Sequence, residues 1–385
     1  MARTIGVVTV ARSDYGHLVP VLEALRGTPG VTLQLFVAGA HLSPRFGSSV
    51  KTIDAEGWPI TDRIETAGAS DAQGDVAAGA GAGVAGFARA FAGAWPDLLV
   101  VLGDRVEMLA AAVAALPLAI PVAHLHGGEV TEGAIDEQAR HAITKLAHLH
   151  FPAAEPYARR IRQMGEEPWR VHCVGAPGLD RFARLAAVGR DDLARRVGLP
   201  LRRPTLLVTF HPVTLEPGQA DAHSVELAAA LERVDGDVVI TYPGADAGHD
   251  AVIRRLEALA AARPGTRMVP DLGEDAYGGL LREADVMVGN SSSGLIEAPS
   301  FGLPVVNVGI RQQGRLRAAN VIDVGHGRAE IAAGIRRALA PGFRESLRGL
   351  VNPYGDGHAA PRIARVLGSV ELGPRLIRKR FVDLA

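Results

Sequence analysis

This sequence has little cysteine, no long apolar runs and no excess of charge of one sign, and each of these features excludes a class of protein. A single cysteine among 385 residues, Cys173, excludes an internal disulfide and suits a reducing compartment. No apolar run reaches the ~18 residues that a membrane span needs, and the opening MARTIGVVTV shows no secretory signal pattern. The formal net charge of -1 gives no broad basic face. We therefore expect a cytoplasmic protein without membrane or nucleic-acid partners.

What the sequence does contain is alternation of apolar strand patterns with helical patterns, repeated in two successive sets. At 385 residues the chain exceeds the ~250–300 residues at which single cores stop growing. The predicted fold class is therefore α/β, with two Rossmann-like domains built on parallel sheets and a polar helical passage, Arg181–Gly198, between them. The predicted strands are Thr4–Val10, Val31–Ala38, Leu98–Leu102, Ile120–His124 and Val171–Val174, then Thr205–Phe210, Asp237–Tyr242, Arg267–Val269, Asp285–Gly289, Pro304–Val308 and Val321–Val324.

The stretch from Val101 to Phe151 concentrates polar residues at predicted strand ends. Asp104 and Arg105 follow one strand, His126 and Glu129 follow the next, and Asp136 begins a helical pattern. Because the carboxyl ends of parallel strands form the ligand crevice, these groups are expected to meet in one pocket. Each also has a plainer interpretation, as a helix N-cap or a solvated loop acid.

Histidines are frequent in the same stretch, but their spacing does not indicate a metal. Neither a His-Glu-x-x-His motif nor paired cysteines accompany them. His124, inside a strand, is more typical of a core histidine than of a catalyst. We predict no metal site among His124, His126, His141, His148 and His150.

The first predicted strand runs into a loop and a helix, an arrangement that offers N–H groups to an anion. Arg12 in this loop could contact a phosphate, or be an ordinary surface arginine. His41 follows the second strand and is expected to face the same crevice. Gly81 to Gly86 formally match G-x-G-x-x-G, but no strand precedes them. NAD is rejected on that ground, and no cofactor is predicted.

The second half again places polar residues after strands. His211 follows one strand and Gly244 another, while Asn290, Ser291 and Ser292 precede a predicted helix, Ser293–Ser300. Hydroxyls and N–H groups at a helix start favour an anion site, and Arg311 strengthens that prediction; an ordinary serine N-cap is the alternative. Glu297 could bind a ribose diol or simply complement the helix dipole.

Six motifs of this sequence occur in a characteristic order: GDR, HLHGGE, GAIDE, RHAITKLAHLHF, TFHPVT and GNSSSGLIEAPSFGLPVVNVGIRQQGR. Together they resemble the hydrolysing UDP-N-acetylglucosamine 2-epimerases of bacterial sialic and legionaminic acid pathways. The resemblance implies a GT-B fold, with two Rossmann-like domains facing a central cleft. It implies a sugar-binding catalytic domain at 1–185, a nucleotide-binding domain at 186–357, and a C-terminal segment, 358–385, that rejoins the first domain. His358–Gly368 matches the crossing helix, and Arg375–Val382 its continuation.

Site residues carry over position by position. Asp104 and Asp136 match family acids implicated in catalysis, His211 a histidine near the diphosphate, and Glu297 a ribose ligand. Four positions depart from the family: His126 stands where many members have a glutamate, Gly244 stands where an asparagine is expected, and Ser13 and Gly16 differ from the usual first loop. The predicted catalytic residues are Asp104, His126, Glu129, Asp136 and His211. The predicted substrate-binding residues are Arg12, His41, Arg105, Gly244, Asn290, Ser291, Ser292, Glu297 and Arg311.

The implied reaction is conversion of UDP-N-acetylglucosamine and water to N-acetylmannosamine and UDP. Anti elimination of UDP would give 2-acetamidoglucal, and hydration would give the free 2-epimer. Such a sequence needs acid/base groups and cations, but neither metal nor redox cofactor. Alternatives left open are the same reaction on UDP-2,4-diacetamido-2,4,6-trideoxyglucose, a non-hydrolysing epimerase, a GT-B glycosyltransferase and a silent sugar-nucleotide binder. The resemblance also implies a homodimer or homotetramer.

Overall fold

The computed structural model describes residues 2–44, 48–66, 73–132, 136–185, 188–213, 215–216, 218–243, 248–270 and 272–383. The chain divides into two compact units. Unit 1 comprises Met1–Glu129, Ile135–Ala183 and Tyr354–Ala385, and unit 2 comprises Val130–Ala134 and Arg184–Pro353. None of the helices in these described ranges is long and apolar enough to cross a membrane.

Unit 1 is built on a six-stranded sheet in which every paired strand is parallel. Its strands are β1 (Arg3–Thr9), β2 (Val31–Ala38), β3 (Ile60–Ile64), β4 (Leu98–Leu102), β5 (Val122–Leu125) and β6 (Leu149–Phe151). Its helices are α1 (Arg12–Arg26), α2 (Val50–Ala55), α3 (Gln73–Ala94), α4 (Val106–Ala115), α5 (Asp136–Leu146), α6 (Glu155–Gln163) and α7 (Gly178–Arg184), later joined by α15 (Ala359–Ser369) and α16 (Pro374–Ile377). The strand order β3-β2-β1-β4-β5-β6 is that of a Rossmann fold.

Unit 2 repeats this plan, with six parallel strands in the order β12-β11-β10-β7-β8-β9. Its strands are β7 (Thr205–Thr209), β8 (Asp237–Thr241), β9 (Thr266–Val269), β10 (Val286–Gly289), β11 (Val305–Val308) and β12 (Val321–Val324). Its helices are α8 (Arg190–Val197), α9 (Ala220–Leu231), α10 (His249–Ala262), α11 (Gly273–Glu283), α12 (Ser293–Ile296), α13 (Arg328–Ala338) and α14 (Pro341–Ser346). The predicted class, two Rossmann-like domains with parallel sheets as in the GT-B fold, is confirmed.

Apolar residues on both sides of each central strand explain the layered architecture. Strand β4 reads LLVVL and is buried throughout. Because successive side chains point to opposite faces, Val100 joins one core cluster while Val101 joins the other. A sheet buried on both faces needs helices on both faces, which the alternating sequence supplies.

Two predicted elements were wrong. Val171–Val174 is not a strand; only an isolated bridge joins Val171 to His150. The continuation predicted at Arg375–Val382 is also absent, since α16 ends at Ile377. There the buried guanidinium of Arg170 donates to the carbonyl oxygens of Arg375, Leu376 and Arg378, which a longer helix would have needed as acceptors.

The crossing helix α15 is anchored to unit 1 by a distant carboxylate, and this gives a stability prediction. Asp180 is fully buried and accepts the N–H groups of Ala359 and Ala360 at 2.9 and 2.7 Å. Since His358 provides no side-chain cap, we expect Asp180→Ala to lower the free energy of unfolding by about 2 kcal/mol. Chemical denaturation measures the change. Asp356→Ala, which removes a half-exposed partner of Arg362, is the control and should cost under ~1 kcal/mol.

Candidate active site

In unit 1 the order of strands reverses between β1 and β4, and the loops after these strands meet at the carboxyl edge of the sheet. The loop after β4 carries Asp104 and Arg105, and Arg105 donates to Ser13 in the first turn of α1 at 3.3 Å. Arg12, the first residue of α1, is exposed. The loop after β5, the next strand of the sheet, carries His126 and Glu129. Sequence-predicted residues of unit 1 thus lie on neighbouring loops.

A buried arginine that the sequence did not single out organises these loops. Arg140 on α5 is 1% exposed and forms an ion pair with Asp104. It also donates to Glu137 at 2.8 Å and to the backbone oxygen of Glu129 at 3.0 Å. Burial alone would lower the pKa of Arg140, but the surrounding carboxylates of Asp104, Glu129 and Glu137 raise it above its usual value. The cation is therefore permanent, and it ties the loops after β4 and β5 to helix α5.

Asp136 is the first residue of α5 and is half-buried. It precedes Arg140 by four residues, so both side chains lie on the same face of the helix. Asp104, the other family-matched acid, forms an ion pair with that arginine. The only signal for Arg140 in the sequence was this four-residue spacing within GAIDEQAR.

His126 and Glu129 form a second buried pair. Nδ1 of His126 lies 2.6 Å from Oε1 of Glu129, and the two residues are 8% and 3% exposed. His126 has a φ of 62°, a left-handed conformation that is uncommon outside glycine. Gly128 follows with a φ of 75°, and a Cβ there would overlap the backbone oxygen of Tyr157. The tight turn thus aims the imidazole and carboxylate at each other.

Three other histidines of this stretch, His124, His148 and His150, are buried in the fold. His124 is fully buried, with its ring nitrogens 2.7 Å from the Gly103 oxygen and 3.2 Å from the Thr144 hydroxyl. Burial lowers the pKa of His124 to about 3, so the ring is neutral. His148 and His150 are bonded to the Val122 N–H and to Glu166.

His41 is fully buried beneath the first loop, with its ring nitrogens 2.9 Å from the Thr9 hydroxyl and 2.7 Å from the Ser49 hydroxyl. Thr9 donates in turn to Asp14 at 2.7 Å. Burial lowers the pKa of His41 to about 4 and raises that of Asp14 to about 6. His41 therefore supports the loop and presents no free nitrogen to a ligand.

In unit 2 the strand order reverses between β7 and β10, and His211 follows the first of these strands. The buried side chain of Asn290, which follows β10, holds the backbone of His211 in place. Asn290 accepts the His211 N–H at 2.7 Å and donates to the His211 oxygen at 2.8 Å. Its own backbone oxygen accepts Gln312 at 2.9 Å and Arg311 at 3.3 Å. Asn290 therefore positions His211 and Arg311, since its amide is already used.

The serine-rich turn after β10 opens a shorter helix than predicted. The α-helix spans only Ser293–Ile296, followed by a 3-10 turn at Ala298–Phe301, because Pro299 has no N–H to continue the ladder. One turn has little dipole. Ser291 and Ser292 are half-buried, and Tyr277, which sequence reasoning missed, donates to Ser293 at 2.7 Å. Glu297 is 5% exposed and follows the short helix directly. Gly244 lies outside the described residues.

A group of three possible metal ligands occurs elsewhere in unit 2, among the residues that the structure describes. Glu216 Oε2 lies 3.4 Å from His326 Nε2 and 3.9 Å from His223 Nε2. However, the two imidazoles are stacked 3.5 Å apart and within 5° of parallel. Their lone pairs therefore run side by side and do not converge on one ion. This geometry is unsuited to tetrahedral coordination.

Two Rossmann-like units with charged and polar residues on the loops after their strands are typical of enzymes that bind nucleotides. The family model described as UDP-N-acetylglucosamine 2-epimerase matches residues 23–368. The chain belongs to this family and is therefore a UDP-sugar 2-epimerase.

Individual relatives cover nearly the whole chain. A UDP-N,N'-diacetylbacillosamine 2-epimerase (hydrolyzing) of Legionella pneumophila is 37% identical, over 98% of this chain and 99% of its own. A UDP-N-acetylglucosamine 2-epimerase of Neisseria meningitidis is 31% identical, over 98% of each. A crystal structure of UDP-GlcNAc 2-epimerase from Neisseria meningitidis, bound to UDP-GlcNAc, superposes with a TM-score of 0.81 at 17% identity, over 94% of this chain and 99% of the other. The structural likeness supports the fold.

Proposed function

We propose that this chain is a hydrolysing epimerase that converts UDP-N-acetylglucosamine and water to N-acetylmannosamine and UDP. The observation that carries the proposal is the acid/base assembly of unit 1, where Arg140 holds Asp104 beside the His126–Glu129 pair. Inversion at C2 by elimination and hydration needs several proton-transfer groups, which this assembly supplies. Asp104 and Asp136 are assigned to proton transfer at the sugar.

Departure of UDP requires stabilisation of the diphosphate charge. His211, Arg311, Ser291 and Ser292 of unit 2 provide cations and donors suited to that role, and Arg12 of unit 1 provides another. Asn290 serves by fixing His211 and Arg311. Glu297 is assigned to the ribose hydroxyls. His211 is catalytic in this scheme because it assists the leaving group.

A second substrate is favoured by one specific observation. The Legionella pneumophila relative, 37% identical, is named for UDP-N,N'-diacetylbacillosamine. That sugar is of the 2,4-diacetamido-2,4,6-trideoxy type, and the same elimination and hydration apply to it, since C4 and C6 do not react.

Proton and phosphorus NMR in D2O tests the proposal, with each sugar nucleotide supplied separately. We expect free UDP together with the free 2-epimer carrying deuterium at C2. A sugar-nucleotide product without net UDP would indicate a non-hydrolysing epimerase. UDP release only in the presence of a sugar acceptor would indicate a glycosyltransferase. Retention of the C2 proton and of the UDP bond with both substrates would refute the proposal.

A further inference from the structure

The His126–Glu129 pair has an orientation that fixes which nitrogen can do chemistry. A carboxylate without a proton can only accept a hydrogen bond, so Nδ1 of His126 carries the hydrogen that lies between it and Glu129. The opposite nitrogen, Nε2, is then a free base when the ring is neutral. It is buried and has no hydrogen-bond partner in the described structure. The His126 side chain is therefore about nine-tenths buried, and the lone pair on its Nε2 is not used in a hydrogen bond.

The surroundings of this pair hold it rigidly. The backbone N–H of His126 donates to the Phe151 oxygen at 3.1 Å, and Arg140 donates to the Glu129 oxygen at 3.0 Å. Arg160 donates to the Gly128 oxygen from α6. Among the described residues, the charged and titratable groups bound to this turn or next to the His126 ring are Glu129, Arg140 and Arg160, together with His17 of α1, whose ring centre is 6.0 Å away.

Asp104 differs from His126 in its electrostatic setting. It is ion-paired with Arg140, whose charge is permanent, whereas His126 is backed by a carboxylate. A carboxylate behind an imidazole stabilises the imidazolium that forms when Nε2 takes a proton from a neutral oxygen nucleophile. The reaction has one such nucleophile, the water that adds to the glucal.

We infer that His126 is the general base of the hydration step and that Glu129 is its positioning residue. This inference rests on the proposed function. As the water oxygen bonds to C1, its O–H bond breaks and the proton passes to Nε2 of His126. The C1–C2 double bond opens, and C2 takes a proton from a carboxylic acid, for which Asp104 and Asp136 are the candidates. The imidazolium then returns its proton to solvent.

Elimination of UDP and hydration of the glucal should respond differently to loss of His126. In His126→Gln, elimination should continue, so UDP appears and 2-acetamidoglucal accumulates. Hydration of supplied 2-acetamidoglucal should fall about 100-fold, the lower part of the range for general base catalysis. NMR follows both species in the full-length enzyme. His249→Gln, which alters a more exposed imidazole beside Asp250, is the matched control and should keep both rates.

Glu129→Gln tests the positioning role. Hydration should fall about 10-fold, and the acid limb of its pH–rate profile should move to lower pH, because the imidazolium loses the carboxylate that stabilises it. A merely structural role would lower the rate without moving that limb. UDP binding by calorimetry verifies that each variant keeps its fold.

Two results would overturn the inference. One is wild-type hydration of the glucal by His126→Gln, and the other is an equal loss of elimination and hydration in that variant. If the wild-type enzyme hydrates 2-acetamidoglucal but releases no UDP from either sugar nucleotide, the proposed function fails on its own. If it does neither, both fail together.

Discussion

Asp104→Asn is expected to lower the rate of UDP release about 10³- to 10⁴-fold, the upper part of the range for loss of an acid/base group. Asparagine keeps the shape of the side chain but cannot take up or return a proton. It also removes one of the two carboxylates that are ion-paired with Arg140, leaving only Glu137 in that role. The Asp104 side chain is 24% exposed, so it is accessible to solvent although its partner is buried.

Initial rates of UDP release, with UDP affinity measured by calorimetry, check this expectation. Asp97→Asn is the control, because Asp97 is another acid of unit 1 but precedes β4 instead of following it. Its carboxylate accepts the N–H of Thr4 at 2.7 Å. The control should retain wild-type turnover. Activity of Asp104→Asn within tenfold of wild type would remove Asp104 from the mechanism.

The strands could be predicted where burial on both faces makes their sequence uniformly apolar. The predicted bounds of Val31–Ala38, Leu98–Leu102 and Val321–Val324 are those of the structure. Ile60–Ile64 was missed because this edge strand has a mostly exposed polar interior, Thr-Asp-Arg. Leu149–Phe151 was missed because a histidine interrupts it, and only the fold supplies the partner, Glu166, that makes His150 acceptable in the core.

The site was predictable at the level of position but not of pairing. Polar residues that follow apolar strands predict a ligand crevice at the carboxyl ends of the strands. This pattern predicted that Asp104, His126 and Glu129 lie on neighbouring loops. What the sequence could not give is which charges neutralise each other. Arg140 lies on the polar face of an ordinary helical pattern, and its burial follows only from the packing of α5 against the loops. Asn290 likewise reads as a ligand in sequence but is used up by His211.

Arg140→Met should be the most destabilising single change at this site, lowering the free energy of unfolding by about 3–5 kcal/mol. Methionine approximates the length of the side chain, so the loss is mainly electrostatic. It leaves the carboxylates of Asp104 and Glu137 and the backbone oxygen of Glu129 without the donor that now binds all three. Arg140→Lys keeps the charge but not the planar guanidinium with its several donors. Its free energy of unfolding should lie between those of the wild type and Arg140→Met.

Calorimetry of the full chain at several pH values measures this effect and tests its cause. If the cost comes from carboxylates left unpaired, it shrinks as pH falls, because protonation neutralises them and removes the need for a cation. If the cost comes from packing, it stays constant with pH. Arg162→Met is the control, since its pair with Glu155 is exposed and should contribute under ~1 kcal/mol. A pH-independent deficit in Arg140→Met would show that this arginine acts as a space-filling residue and not as the counter-charge of the site.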